Sequence, residues 1–197
     1  MKKSHFIALF FVIFFASIHG QEHAISLEAQ LDPKKDILSI NQKIIFVNQS
    51  ETTLTEVYLH NWPNGYRNKK SPLSRRLIED YDKSLYFARD KDRGYIEIKN
   101  LTVNFEIVAF KELREDQSDI LKILLNKPLK PGEFIEINTS YLLKIPNANF
   151  TGYGKSKTGY KLRYWYLIPA VFQNGWKLMN NLNMDLCCLG QIQFFHL

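Results

Sequence analysis

Between residues 135 and 143 the sequence reads Ile-Glu-Ile-Asn-Thr-Ser-Tyr-Leu-Leu, and every second residue belongs to one mostly apolar stripe. Successive side chains of a β-strand point to opposite faces, so this pattern predicts a strand with one buried face. The stripe consists of Ile135, Ile137, Thr139, Tyr141 and Leu143.

The same period of two recurs in the first part of the chain, from Ile25 to Leu31 and from Leu38 to Phe46. The turn residues Asp32-Pro-Lys-Lys35 separate the two runs, with proline where its fixed φ suits a turn. This arrangement predicts a β-hairpin, followed by a third extended segment over residues 54–60.

Further strands are predicted over residues 95–110, where the alternation reaches Phe105 and Ile107, and over residues 120–125. Residues 126–132 form a turn-rich link, so we expect the 120–125 and 135–143 strands to pair as a hairpin. A last aromatic strand is predicted over residues 162–168, with one face formed by Leu162, Tyr164, Tyr166 and Ile168.

One segment has helical spacing. Ser71-Pro72 is a good helix start, and apolar residues then recur every three or four positions as far as Ala88, which predicts a helix over Pro72 to Arg89. Many short strands with one inserted helix (about 72–89) predict a mainly β chain, an antiparallel β-sandwich or strongly curved sheet.

The ends of the chain differ from its middle. Residues 1–20 combine Lys2 and Lys3 with an apolar run too short to span a bilayer, which predicts a cleaved signal peptide. We therefore expect an exported protein, periplasmic, cell-surface or secreted, with no stable membrane span. Residues 21–183 are predicted to form one β domain, and residues 184–197 an irregular tail that holds both cysteines, Cys187 and Cys188.

Charge gives no nucleic-acid signature. The formal net charge is +6, but the basic residues between Arg67 and Arg76 are followed at once by Glu79, Asp80 and Asp82. A nucleic-acid partner would need a face of one sign. We therefore predict no nucleic-acid binding, and a solvated surface for these three acids.

Catalytic motifs are missing from the sequence. Zinc peptidases hold their metal with two histidines one helical turn apart in H-E-x-x-H, whereas the histidines beyond residue 20 are the isolated His23, His60 and His196. Gly154-Lys-Ser156 imitates the end of a phosphate loop, but the first glycine of that motif falls on Asn149. We predict an inter-strand loop there, and no catalytic, cofactor-binding or metal-binding residue in this chain.

Four N-x-[ST] sequons, at Asn48, Asn100, Asn138 and Asn149, would be glycan acceptors in a eukaryotic secretory pathway. The Lys2-Lys3 signal and the Asn/Lys-rich composition are equally typical of a bacterial protein. The sequons therefore carry little weight.

The order of these elements resembles the N-terminal domain of aminopeptidase N-like (gluzincin, M1-type) zinc metallopeptidases. Residues 38–50, with Phe46-Val-Asn-Gln-Ser50, are similar to that domain's second strand, which ends in Phe-x-Asn-x-Ser. Leu129-Lys-Pro-Gly132, followed by a strand that ends at Tyr141, is similar to the family's leucine, two residues, glycine signature. The block from Tyr58 through Arg76, together with Arg93-Gly94, is similar to an insertion of bacterial members.

The resemblance implies what the chain lacks. The peptidase domain, with the H-E-x-x-H motif that binds the family's zinc, would lie beyond Leu197, so the chain is expected to be an incomplete, noncatalytic member. Its expected partners are that missing domain or its peptide substrates. An unpaired sheet edge near residues 160–168 is expected to favour self-association.

A second hypothesis is an independent exported β-sandwich that binds peptide or carbohydrate through exposed aromatic side chains. Core packing is the competing interpretation of each, above all of Trp165 in its alternating strand. The candidate residues are Trp62, Tyr66, Tyr153, Trp165 and Trp176.

Overall fold

The computed structural model describes residues 23–182 and 193–195. The predicted signal peptide, Cys187, Cys188 and His196 lie outside the described residues, and the domain boundaries stay predictions. The described strands are β1 Ala24–Asp32, β2 Ile37–Val47, β3 Leu54–His60, β4 Tyr95–Val103, β5 Glu106–Ile107, β6 Phe110–Glu112, β7 Ile120–Leu129, β8 Phe134–Lys144, β9 Gly154–Ser156, β10 Gly159–Leu162, β11 Ile168–Pro169, β12 Val171–Phe172, β13 Trp176–Lys177 and β14 Gln193–Phe195.

Two antiparallel sheets form most of the fold. The first, here called sheet A, has the strand order β1-β2-β8-β4-β5, and the second, sheet B, has the order β11-β3-β7-β6. Two smaller units, β14-β10-β9 and β12-β13, complete the described strands. The predicted β1–β2 hairpin is confirmed, with Asp32 paired to Ile37 across the turn.

A single core joins the two sheets. It contains buried side chains of sheet A, among them Ile44 and Ile137, and of sheet B, among them Leu59 and Ile123. The predicted stripe of β8 is buried at all five positions, because β8 lies at the centre of sheet A between β2 and β4. The prediction of a mainly β, antiparallel chain with one inserted helix is confirmed.

The predicted hairpin between residues 120–125 and 135–143 is wrong. β7 pairs with β3 and β6 in sheet B, whereas β8 pairs with β2 and β4 in sheet A. β7 also continues through Pro128 to Leu129, so only the short turn at 130–133 links the two strands. Separate sheets allow the apolar stripes of β7 and β8 to face each other across the core, which pairing within one sheet would prevent.

The predicted helix is shorter than expected. Helix α1 spans Pro72–Glu79 and begins after Ser71, as the sequence predicts. It ends because Tyr81 takes a left-handed conformation with φ 62°, and the amides of Tyr81 and Asp82 bond back to the carbonyls of Ile78 and Leu77. These two bonds form a Schellman motif. Of the three acids assigned to a solvated surface, Glu79 and Asp80 are exposed and Asp82 is half-buried.

Two of the predicted strands, over residues 95–110 and 162–168, are also interrupted. Phe105 lies in the two-residue turn between β4 and β5, and Ile107 follows in β5; both are 81% exposed. The predicted strand over residues 162–168 is interrupted at Tyr164, whose φ is 49°. As a result Trp165 and Leu167 are buried in place of Tyr164 and Tyr166.

Candidate functional site

The described residues contain no group of three or more His, Cys, Asp or Glu side chains that could hold a metal ion. His23 and His60 lie apart and each accepts a backbone hydrogen bond. His23 Nδ1 accepts from the Val47 amide at 3.2 Å, and its ring stacks on Phe46. Burial lowers the pKa of His23.

The main concentration of buried polar side chains in the described part of the chain lies where β3 ends and β7 begins. This buried polar cluster consists of Asn61, Asn64, Ser118, Asp119 and Asn181. Asn64 Nδ2 donates to the Ser118 carbonyl at 2.7 Å, and the Asn61 amide donates to the Asp119 carbonyl at 2.7 Å. The tip of β3 and the start of β7 are therefore joined through polar groups as well as by strand pairing.

Asp119 binds the chain segment that follows β13. Its Oδ2 accepts from the Asn181 amide at 2.6 Å and from Asn181 Nδ2 at 2.9 Å, and Asn181 Nδ2 also donates to the Trp62 carbonyl. The Asp119 side chain is fully buried, and this burial raises its pKa from 3.8 to about 6. No cation faces it within hydrogen-bonding distance in the described residues.

His60 binds the same segment two residues earlier, at Met179. Its Nε2 accepts from the Met179 amide at 3.1 Å, while Trp62 Nε1 donates to the Met179 carbonyl at 2.8 Å. The His60 and Trp62 rings stack with their centres 5.0 Å apart. Burial lowers the pKa of His60 to about 4, so the ring is neutral and able to accept at physiological pH.

Strongly shifted pKa values in a cleft often mark an active site, but here the cleft is missing. His60 is 6% exposed and Asp119 0% exposed. The adjacent cavity, lined by Trp62, Tyr153 and Asn181 among others, measures about 30 Å³, which admits a water molecule but no substrate. His60, Trp62 and Asp119, here called the clamp, hydrogen-bond to Met179 and Asn181 and so hold residues 179–182 in place.

Sequence reasoning missed the clamp. Asp119 and Asn181 are 62 residues apart in sequence. Ser118-Asp119 before an apolar strand is typical of an ordinary solvated turn. Nothing in the sequence therefore distinguishes a buried, hydrogen-bonded Asp119 from an exposed one.

The aromatic side chains of the second hypothesis do not form an exposed platform. Tyr66, Tyr153 and Trp165 are buried. Tyr66 stacks on Tyr153 with ring centres 5.2 Å apart. Trp62 and Trp176 are half-buried against other aromatic rings. The core interpretation of Trp165 is therefore correct.

The phosphate-loop imitation is a β-hairpin. Gly154–Ser156 and Gly159–Leu162 pair as β9 and β10, and Lys155 Nζ donates to Asp36 at 2.7 Å. Gly154 has φ 120°, and a Cβ there would overlap the carbonyl oxygen of Pro146. The glycine therefore serves close chain packing. The predicted inter-strand loop is wrong, because the segment itself forms the two strands and only residues 157–158 lie between them.

The predicted open edge at residues 160–168 is mostly covered. β10 lies between β9 and β14, so Tyr160 and Leu162 are not at a sheet edge. Of the described strands between residues 160 and 168, only β11, which begins at Ile168, lies at the edge of its sheet. Self-association stays a prediction without this basis.

Asn48 joins the two sequence motifs that carry the family resemblance. Its side chain donates to the carbonyls of Thr52 at 2.8 Å and Leu129 at 3.0 Å. Its backbone amide donates to the Glu133 carbonyl, and its carbonyl accepts from the Gly132 amide. Phe46-Val-Asn-Gln-Ser50 and Leu129-Lys-Pro-Gly132 therefore form one hydrogen-bonded unit, here called the Asn48 junction.

Comparison with known proteins gives structural matches only. No family model matches the chain. No curated protein matches it. An M1 zinc metallopeptidase from Deinococcus radiodurans matches with a TM-score of 0.37 and 13% identity over 62% of this chain and 19% of that one. A mutant enzyme from the same organism, bound to a Tyr-Ser-Ala substrate, matches with a TM-score of 0.36 and 14% identity over 62% and 20%.

The chain spans about a fifth of the length of these metallopeptidases. At such identity and TM-score the match carries no argument about activity. Within residues 23–182 and 193–195, no helix is long and apolar enough to cross a membrane.

Proposed function

We propose that this chain is the noncatalytic N-terminal β domain of an exported aminopeptidase N-like zinc metallopeptidase. In this proposal the zinc ligands and the peptidase residues belong to a following domain. The full-length enzyme would remove N-terminal residues from peptides.

The Asn48 junction is the observation that supports the proposal. Taken singly, a Phe-x-Asn-x-Ser strand end and a leucine, two residues, glycine turn are short matches that arise by chance. Here Asn48 bonds directly to the Leu129 carbonyl, 81 residues away, and its backbone bonds to Gly132 and Glu133. A shared junction explains why both motifs occur, in this order, in one chain.

The described residues do not fit a zinc ion. His60 is enclosed and uses Nε2 to accept the Met179 amide, and His23 uses Nδ1 for the Val47 amide. A zinc site needs three or four converging ligands, and the described residues bring no three candidate ligands together. No zinc-dependent step is therefore assigned to these residues.

Reading the DNA that follows the Leu197 codon, in all three frames, tests the proposal most directly. We expect an open frame that encodes H-E-x-x-H on a helical segment. An unrelated gene in its place would contradict the proposal.

A biochemical prediction concerns the chain by itself. Because its described residues bring no three candidate ligands together, the purified protein should hold no stoichiometric zinc and release no amino acid from aminoacyl reporter substrates. Metal analysis and a chelator-controlled assay measure both. About one equivalent of zinc, or activity that a chelator abolishes, would show that this chain has a site of its own.

Export is tested on the same preparation. The secreted or periplasmic product should be shorter than the encoded chain by about twenty residues, the length of a typical signal. Recovery of the uncut chain in the membrane fraction would contradict export.

A further inference from the structure

The outer face of sheet A carries polar side chains in register across four strands. Glu28, Asn41, Ser140 and Asn100 lie opposite one another on β1, β2, β8 and β4. One level along, the pairing brings together Ser26, Lys43, Asn138 and Thr102. These eight residues are here called the polar sheet face, and at the usual strand spacing each row is roughly 14 Å wide.

The first of these rows is free to bind a ligand. The side chains of Glu28, Asn41, Asn100 and Ser140 make no hydrogen bond to any other described residue, and all but the half-buried Ser140 are exposed. Their strands are held by neighbours on both sides or by the β1–β2 hairpin. The backbone beneath the row is therefore fixed, and only the side chains lose rotamer freedom on binding.

The face is nearly neutral in charge. Lys43 pairs with Glu136 at 3.8 Å, and Asn138 also donates to Glu136 at 2.9 Å. Glu28 is the only other ionised side chain in the two rows. Amide and hydroxyl groups dominate, so the matching ligand is polar and uncharged.

The polar sheet face is also a depression. About 720 Å³ of space lies over it, and Phe105 forms part of the wall. A second depression of about 320 Å³ covers the neighbouring part of the sheet, around Gln30, Ser39 and Leu142. The space over the two rows is wide and open, so it has room for an extended ligand that lies across several strands.

Phe105 does not fit the ordinary interpretation of a solvated outer face, which is the usual state of one side of an antiparallel sheet. It occupies the second position of a two-residue turn with φ 66°, after Asn104 with φ 49°. Such turns favour Asn-Gly, and a bulky residue at positive φ is strained.

Asn104 suits its position, because its Oδ1 accepts the Glu136 amide at 2.9 Å. Phe105 is strained and 81% exposed, and it contributes no such bond. Tyr81 is also aromatic, exposed and at positive φ, but of the two only Phe105 borders one of the described depressions, and this position makes Phe105 a candidate binding residue.

We propose that the polar sheet face, together with Phe105, binds a neutral carbohydrate chain. Ring hydroxyls would bond to the free amides and hydroxyl of the Asn41 row, and the apolar face of one sugar ring would pack on Phe105. An extended peptide is disfavoured, because peptides bind sheets through backbone bonds at an edge, whereas this is the face of a sheet. A polyanion is disfavoured by Glu28 and by the pairing of Lys43.

The test is calorimetric titration with neutral hexasaccharides of the cello-, chito-, xylo- and malto- series. Wild type should bind at least one series, and Phe105→Gly should weaken that binding by about tenfold or more. The same variant should melt higher than wild type, by roughly 2–4 °C, since glycine relieves the turn. A merely damaged variant would instead melt lower.

The controls separate the face from its surroundings. Ile107→Ser removes an equally exposed apolar side chain beside the turn and should leave binding unchanged. Asn41→Ala combined with Asn100→Ala should weaken binding without lowering the melting temperature. Absence of wild-type binding to all four series would overturn the proposal, as would equal binding by Phe105→Gly. Neither result bears on the proposed peptidase relationship.

Discussion

Asn48 is a buried residue whose side chain satisfies several backbone groups at once. It donates to the carbonyls of Thr52 and Leu129 and accepts from Ser50. Replacing it with alanine leaves the buried Leu129 carbonyl without that partner. A lost partner in such a place typically costs 1–3 kcal/mol, and the side-chain bonds to Thr52 and Ser50 are lost as well.

We therefore predict that Asn48→Ala lowers the free energy of unfolding by about 2–4 kcal/mol, measured by urea denaturation. Asn149→Ala is the matched control, because Asn149 is also a sequon asparagine but is exposed. Equal stability of the two variants would contradict the structural role of Asn48. The burial of Asn48 also makes it a poor glycan acceptor in the folded protein.

His60 and Asp119 make stability depend on pH in opposite directions. Asp119 has a folded pKa of about 6, above its ordinary 3.8, so its stabilising contribution is present below pH 3.8 and is lost as pH rises through 6. His60 has a folded pKa of about 4, below its ordinary 6.5, so its contribution is present above pH 6.5 and is lost as pH falls through 4. Each contribution is on the order of 3 kcal/mol, so the two largely cancel.

Single variants should uncover each contribution. Between about pH 7 and pH 4, Asp119→Asn should lose stability on acidification more steeply than wild type, because only His60 then titrates. His60→Gln should gain stability relative to wild type over the same range. Urea denaturation at several pH values measures this, and parallel profiles for all three proteins would contradict the assignment.

At the scale of elements, the end of α1 depends on one residue. Tyr81 is 94% exposed and holds φ 62° at the position after the helix where glycine is favoured. Tyr81→Gly should therefore raise the free energy of unfolding by about 0.5–1 kcal/mol. Arg75→Gly, in the middle of the same helix and also exposed, should lower it by a similar amount. A thermal melt that shows the same sign for both would contradict the Schellman ending.

Tyr81 also shows where sequence-based prediction fails. The helix start was predictable because Ser71-Pro72 is a local signal, but tyrosine is an uncommon residue at positive φ, so nothing local marked the end. Likewise the stripe of β8 identified a strand but not its partners. Pairing of β8 with β2 rather than β7 depends on which apolar faces meet across the core, and local spacing does not contain that information.

The site was less predictable than the fold for the same reason. The candidate aromatics were chosen by residue type, and type alone does not separate the buried Trp165 from the exposed Phe105. The clamp and the polar sheet face both bring together residues that are distant in sequence. Strand register, not spacing along the chain, places Asn41 beside Ser140.

For the whole molecule, the shared core has a thermodynamic consequence. Side chains of both sheets belong to one buried cluster, together with Leu167 from the segment that follows β10. Loss of either sheet would expose the apolar face of the other. We therefore predict a single cooperative unfolding transition. Far-ultraviolet circular dichroism and tryptophan fluorescence should give the same midpoint, and two separate midpoints would contradict the shared core.

The placement of β8 beside β2 also affects how the chain folds during its synthesis. Val47 pairs with Phe134, so the inner edge of β2 has no partner until the ribosome has made most of the described chain. At roughly 5–20 residues per second this delay is on the order of ten seconds. During that interval β1 can cover only one edge of β2, and the other remains an open template for pairing with another chain. Nascent chains should therefore depend on a chaperone for longer than the size of the domain suggests.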